Sequence, residues 1–150
     1  MNKRRFNSKQ QGFSLVELAI GLAVITILIL AISMSSGIRD NARVQSAANS
    51  VHTLHSAAEN YLVTGKMNYT GMTIDVLKTA KLLPDNFTGA KTNPWGGDFT
   101  VAANTVNSTR FDISLGGLSQ ADADKLTVYF NNSANAAVYD AGKNTWTVTF

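Results

Sequence analysis

Residues 13 to 38, FSLVELAIGLAVITILILAISMSSGI, are apolar or small apart from polar Ser and Thr and one ionisable group, Glu17. No proline interrupts the run, and at 1.5 Å per residue it makes a helix roughly 39 Å long, enough to cross the hydrocarbon core of a bilayer. A transmembrane helix is therefore expected. Lys3, Arg4, Arg5 and Lys9 precede it with no acid among them, a pattern that keeps the N-terminus cytoplasmic and exports the chain beyond the helix. Those four side chains also explain the net charge of +3: beyond Gly12, nine basic residues are set against ten acidic ones. No basic footprint for nucleic acid remains.

Two simple readings compete for this run. A cleaved secretory signal has an apolar core of about 7–15 residues, shorter than the one here. A plain single-pass anchor accounts for length and orientation but not for Glu17. An acid at the centre of a spanning helix costs about 2.5–3.5 kcal/mol, and less near an end where it reaches the headgroups. Glu17 lies near the N-terminal end, where the helix dipole favours negative charge. Energetics alone leaves open an acid that simply sits at the interface.

The neighbouring residues add more. Gly12-Phe13-Ser14-Leu15-Val16-Glu17 resembles the prepilin-peptidase signature of type IV pilins and related pseudopilins: a basic leader ending in Gly, an apolar first mature residue, and an acid four positions later. The resemblance implies that residues 1–12 are a leader removed by prepilin peptidase after Gly12. It implies further that Phe13 becomes the N-methylated mature N-terminus and that Glu17 meets the amino group of a neighbouring subunit during assembly. A carboxylate and an ammonium that each resist burial attract strongly once water is excluded, given good geometry. Met34 stands where many members have a helix-opening proline, with Ser33, Ser35, Ser36 and Gly37 around it.

Beyond Gly37 the chain turns polar, but Val44, Ala47, Val51, Leu54, Ala58 and Tyr61 or Leu62 recur at helical spacing. The expectation is one helix from about Ser14 to about Val63. Residues 13–38 are its transmembrane and assembly part, residues 39–63 an amphipathic part packed on a sheet, and Gly65 a plausible stop. His52 and His55 share a helix face, but no spacing suggests a third ligand, so no metal site is expected. Residues 64–150 are read as a globular head. Within it TIDVLKTAKLL (73–83) reads as a helix with Thr73 as N-cap and Pro84 as its end. Strand candidates come after it at Phe99–Ala102, Arg110–Leu115, Leu126–Phe130, Ala137–Tyr139 and Thr145–Phe150. The fold class is α+β: a helical spine carrying a small, mostly antiparallel sheet.

Tyr69-Thr70-Gly71-Met72, the run Leu82 to Phe87 and the run Thr92 to Val101 look like the corresponding segments of type IVb pilins, closest to the bundle-forming pilin (bundlin) subgroup. The run Gly117 to Leu126 is similar to the helix after a central strand in that class. Asn93, Pro94, Trp95, Gly96 and Gly97 are read as architecture: Pro94 fixes a turn, the glycines permit positive φ, and Trp95 can seal the helix–sheet core. The paired glycines lack the context of a phosphate loop. Members of this class commonly close a C-terminal loop with a disulfide, but this chain has no cysteine and places Ala123 about where one half would fall. Packing of Trp95, Phe99, Phe111, Tyr129, Phe130, Tyr139, Trp146 and Phe150 on the helix stripe is expected in its place. Asp122 and Asp124 are read as a solvated face rather than a Ca²⁺ site.

By this resemblance the chain is the major structural subunit of a type IVb-like pilus, polymerising with copies of itself into an extracellular filament. Adhesion, aggregation, conjugative contact and motility are the candidate tasks. The partners implied are prepilin peptidase, the pilus assembly platform and its ATPase, the inner membrane before assembly, and a receptor on a host or bacterial surface. No cofactor is implied. A minor pilin or a type II secretion pseudopilin shares the same leader and Glu17. A membrane-anchored periplasmic enzyme or binding protein is a further alternative, but no catalytic triad, metal-ligand set or phosphate loop supports an enzyme.

Overall fold

The structure, a computed structural model, describes residues 14–150, without the side chains of residues 33–36. In chain order its elements are α1 (Leu15–Val63), α2 (Ile74–Thr79), β1 (Phe99–Ala103), β2 (Phe111–Gly116), α3 (Gln120–Phe130), β3 (Ala136–Asp140) and β4 (Thr145–Thr149). They divide into two compact units, one up to Ile38 and one from Arg39 to Phe150. The first is the beginning of α1, whose backbone stays helical through residues 33–36. Its large apolar side chains are exposed in the single chain, from Leu15 at 88% to Ile32 at 69%. With a mean hydropathy of 2.8 over 18 residues, this helix is long and apolar enough to cross a membrane.

In the second unit, α1 continues with one face turned inward. Val44, Ala47, Ala48, Val51, Leu54, Ala57, Ala58 and Tyr61 are buried, the three-and-four spacing that brings residues onto one side of a helix. The helix stops where backbone N–H groups of Thr64 and Gly65 reach the carbonyls of Tyr61 and Leu62, with Gly65 at φ +91°. Only glycine adopts that conformation without steric cost.

The buried face packs on a four-stranded antiparallel sheet of order β1-β2-β4-β3. Period-two alternation sends Phe99 and Val101, Phe111, Ile113 and Leu115, and Trp146 and Val148 inward. The outer face carries small polar groups that pair across strands: Ser114 Oγ lies 2.8 Å from Thr147 Oγ1, and Thr149 Oγ1 donates to Asp112 at 2.6 Å. Pairs of this kind add a few tenths to about 1 kcal/mol each and pin the register.

Two of the expected elements form differently. The segment Leu126–Phe130 is the second half of α3, not a strand. Ser119 caps α3 by accepting the Asp122 N–H, and Ala123, Leu126 and Phe130 then fall on one buried face while Val128 is exposed. A strand would have buried alternate residues. Similarly, α2 ends at Thr79, well before Pro84. Lys81 takes φ +58°, its N–H reaching the Lys78 carbonyl and the Leu82 N–H the Leu77 carbonyl. This Schellman arrangement satisfies the last carbonyls without needing the proline. Thr73 caps the other end, its hydroxyl accepting the Val76 N–H.

The aromatic core centres on buried Phe111, Phe130 and Trp146. Trp146 Nε1 donates to Thr127 Oγ1 at 2.9 Å, linking β4 to α3. Tyr129 departs from the expected core, 44% exposed beside His52 with ring centroids 5.9 Å apart. His55 points from α1 into the aromatic cluster, 4.3 Å from Phe150 and 5.6 Å from Phe111 by ring centroid. Burial holds its pKa below the ordinary 6.5; Glu59, with Nδ1 and Oε2 3.7 Å apart, pulls the other way, and nearby His52 adds to the lowering. Burial wins because the rings around the imidazole offer a cation far less than water does.

The folded state thus binds this proton more weakly than the unfolded chain. The stability His55 contributes is full above 6.5 and is lost as pH falls through the lowered value. Between about pH 8 and pH 5, the thermal midpoint of the detergent-solubilised protein should therefore fall more in wild type than in His55→Gln, as followed by circular dichroism. Parallel curves would rule out this linkage.

Candidate functional site

Two places concentrate unusual chemistry: the start of α1 and the loop before β1. At the first, Ser14 and Glu17 bond reciprocally. The Ser14 N–H donates to Glu17 Oε2 at 2.9 Å, and the Glu17 N–H donates to Ser14 Oγ at 3.1 Å. Ser-x-x-Glu is the capping-box spacing, which satisfies two of the amide groups a helix N-terminus leaves without an intrahelical partner. Glu17 therefore sits in the first turn, where the dipole favours its charge. One turn on, Gly21 has nothing within 4 Å of where a Cβ would stand, leaving a shallow apolar groove lined by Glu17, Leu18, Gly21, Leu22 and Ile25. Gly12 and Phe13 lie outside the described residues.

The second place is built on Asn93, among the described residues the one polar side chain that is buried, at 4% exposure. Its Nδ2 donates to the Gly116 carbonyl at 2.6 Å and to the Asp98 carbonyl at 3.4 Å. Its Oδ1 accepts the N–H groups of Gly97 at 2.8 Å and Trp95 at 3.0 Å. Two donors and two acceptors are the whole capacity of the amide, so its burial leaves nothing unpaired. Pro94 is the second residue of a turn closed by the Gly96 N–H on the Asn93 carbonyl, and Gly96 takes φ +78°. At Gly97 the constraint is space: a Cβ would stand 1.9 Å from the Gly116 carbonyl oxygen.

Trp95 extends this loop to α3. Its Nε1 donates to Asp122 Oδ2 at 3.0 Å, and the same oxygen accepts Ser119 Oγ–H at 2.8 Å. Asp122, expected on a solvated face, is instead a tie between loop and helix. The signal was present in the spacing Ser119-x-x-Asp122, which marks a helix start. Ala123, fully buried, comes directly after it. What the arrangement can do is hold the loop, the end of β2 and α3 as one piece. Among the described residues no group of three or more His, Cys, Asp or Glu side chains is placed to hold a metal.

Comparison with known families matches both places. The prokaryotic N-terminal methylation motif covers residues 7–33, a span that includes Gly12, Phe13 and Glu17, and the Bundlin model covers residues 36–129, well over half of the chain. The chain belongs to the bundlin family of type IV pilins. No curated protein matches it. The Asn93 hub, its Trp95–Asp122 extension and all of α3 but its last residue fall inside the bundlin match, whereas β3 and β4 lie beyond it. Both matched families are structural pilins, for which self-assembly into filaments and processing by prepilin peptidase are implied. An apolar helix behind a prepilin leader motif fits a membrane-anchored precursor that becomes part of a pilus.

In this bundlin-family head, Gly97→Ala forces a methyl group into a backbone carbonyl. The loop must move and break the Asn93 bonds, at a cost of about 1–3 kcal/mol or more. Thermal unfolding of the purified variant should show a clearly lowered midpoint, whereas Gly142→Ala, at a glycine outside the hub, should change it little. Equal midpoints for the two variants would contradict the hub.

Proposed function

We propose that the chain is the major subunit of a type IVb-like pilus, freed by cleavage after Gly12, starting with N-methylated Phe13, and set in register by Glu17. The observation that carries this reading is that the methylation-motif match and the bundlin match succeed each other along one helix, α1. Before assembly, lipid covers the apolar side chains between Leu15 and Ile32. In the fibre, neighbouring copies replace the lipid. Association inside a bilayer gains little from the hydrophobic effect, because lipid tails are as apolar as leucine. A charged group that needs its partner fixes a register in such a medium, and in the described part of this run the one ionisable group is Glu17.

The carboxylate of Glu17 pairs with the amino terminus that cleavage creates on the next copy. Both charges then lie in a medium of low dielectric constant, where a well-aligned pair attracts strongly and a lone charge is costly. A subunit one step out of register leaves two such charges unpaired. Prepilin peptidase, the assembly platform and its ATPase act on the precursor in the inner membrane, and the filament serves adhesion, aggregation, conjugative contact or motility.

Glu17→Ala should leave membrane insertion and leader cleavage intact while reducing surface filaments at least tenfold, measured as sheared pilin against cleaved pilin in the membrane fraction. Filaments in normal amount from this variant would exclude the registry role. The same preparation tests the subunit's rank: as major subunit, this chain makes up most of the sheared protein, whereas a trace component would mark it as a minor pilin.

A further inference from the structure

The sheet ends in β1 on one side and β3 on the other, and the two edges are not alike. On β1 the Phe99 N–H already donates to the Gly89 carbonyl at 2.7 Å, and Val101 is buried. The edge of β3 has no such cover. Phe111 and Phe150 exchange both N–H···O bonds, at 3.2 and 3.0 Å, and along an antiparallel ladder bonded and non-bonded partners alternate. Val148 and Trp146 therefore bond to β2, while Thr149, Thr147 and Thr145 turn their peptide groups to β3, opposite Ala136, Val138 and Asp140. The Asn135 N–H on the Thr149 carbonyl, at 2.8 Å, follows the same pattern. The peptide groups of Ala137 and Tyr139 are left facing outward, and among the described residues no other segment's backbone bonds to them.

Bare edges recruit other strands and are usually guarded by lysine, proline or a bulge. The strand AAVYD carries none of these. We propose that the edge of β3 docks on the same edge of a second copy of this chain, antiparallel and centred on Val138. In that register Ala137 stands opposite the partner's Tyr139 and Tyr139 opposite the partner's Ala137. Each such pair exchanges two N–H···O bonds, so every outward peptide group of the strand is used. Val138, 65% exposed on the outer face, meets the partner's Val138 in the closer, non-bonded kind of pair. Charge selects the same arrangement. Asp140 lies opposite the partner's Ala136, which is neutral, whereas a parallel alignment in register sets Asp140 beside the partner's Asp140, a destabilising pair. A shift by two residues leaves Ala137 or Tyr139 with no partner in the strand. Self-assembly, implied by the matched families, brings identical heads together. The contact is two-fold, so it joins heads in pairs rather than extending a fibre, and it does not rest on the reading of Glu17.

The chain has no cysteine, so one cysteine placed on β3 can form a disulfide only with another copy. Non-bonded antiparallel partners stand about 4.5 Å apart between Cα atoms, within the reach of a disulfide. Full-length Val138→Cys, Ala136→Cys and Asp140→Cys should be solubilised in detergent, mildly oxidised and followed on non-reducing gels. Val106→Cys, at a position 93% exposed and outside β3, is the control for random collision. Val138→Cys should form the linked pair at least fivefold faster than Val106→Cys. Ala136→Cys and Asp140→Cys should each link slowly alone and several-fold faster when mixed, a readout of the same register that leaves Val138 in place. A Val138→Cys rate no higher than that of Val106→Cys overturns the docking edge. A mixture no faster than its two components, or Ala136→Cys linking to itself as fast as Val138→Cys, overturns the antiparallel register.

Discussion

The burial of one face of α1 against the sheet is the interaction on which the rest of this structure depends. Ala47, Ala48, Val51, Leu54 and Ala58 have almost no exposed surface, and the inner faces of β1, β2 and β4 complete the same core. Burying side chains of this size contributes about 25 cal/mol for each Å² of apolar surface removed from water. Alanines at 47, 48, 57 and 58 keep the helix close to its neighbours, and the bulk needed to fill the space comes from Phe111, Phe130 and Trp146. Without α1, the inner face of a four-stranded sheet would lie open to water.

What holds the edge of this core is a set of hydrogen bonds. Asn93 uses every donor and acceptor of its amide, and Trp95 carries the connection to Asp122 on α3. Each bond contributes about 0.5–1.5 kcal/mol net, and more where a carboxylate accepts. Related pilins commonly place a disulfide half-cystine near Ala123, and a disulfide is typically worth about 2–4 kcal/mol. The hydrogen-bonded tie, one residue away at Asp122, supplies a stabilisation of the same order without a thiol. Such a link is indifferent to the redox state of its surroundings.

Much of this was legible beforehand because long periodic patterns are hard to misread. The apolar run with its inward-facing continuation led to a helix from Ser14 to Val63, against Leu15–Val63 in the structure, with Gly65 correctly marking its end. Four of the five strand candidates lie where strands form. The fifth, Leu126–Phe130, is helical although Thr127, Val128 and Tyr129 favour strands by type, because the Ser119 cap and the packing of Leu126 and Phe130 override that preference. The role of Asp122 is not legible locally, because its partner, Trp95, is 27 residues away and no local pattern pairs an indole with a distant carboxylate. The hub around Asn93 was recognised as architecture from its turn residues, but the contact that makes Gly97 irreplaceable, the Gly116 carbonyl, belongs to another strand. Ser14-Leu15-Val16-Glu17 has the capping-box spacing in plain sight, overshadowed by the acid it contains.

On the proposed reading, one chain serves first as a membrane precursor and then as a filament subunit, with α1 present in both states and the leader lost between them. Mass spectrometry of the chain recovered from sheared surface filaments tests it most directly. The expected result is a chain beginning at Phe13 and carrying one added methyl group. Chains that still begin at Met1, or the absence of this protein from the filament fraction while it stays in the membrane, would contradict it.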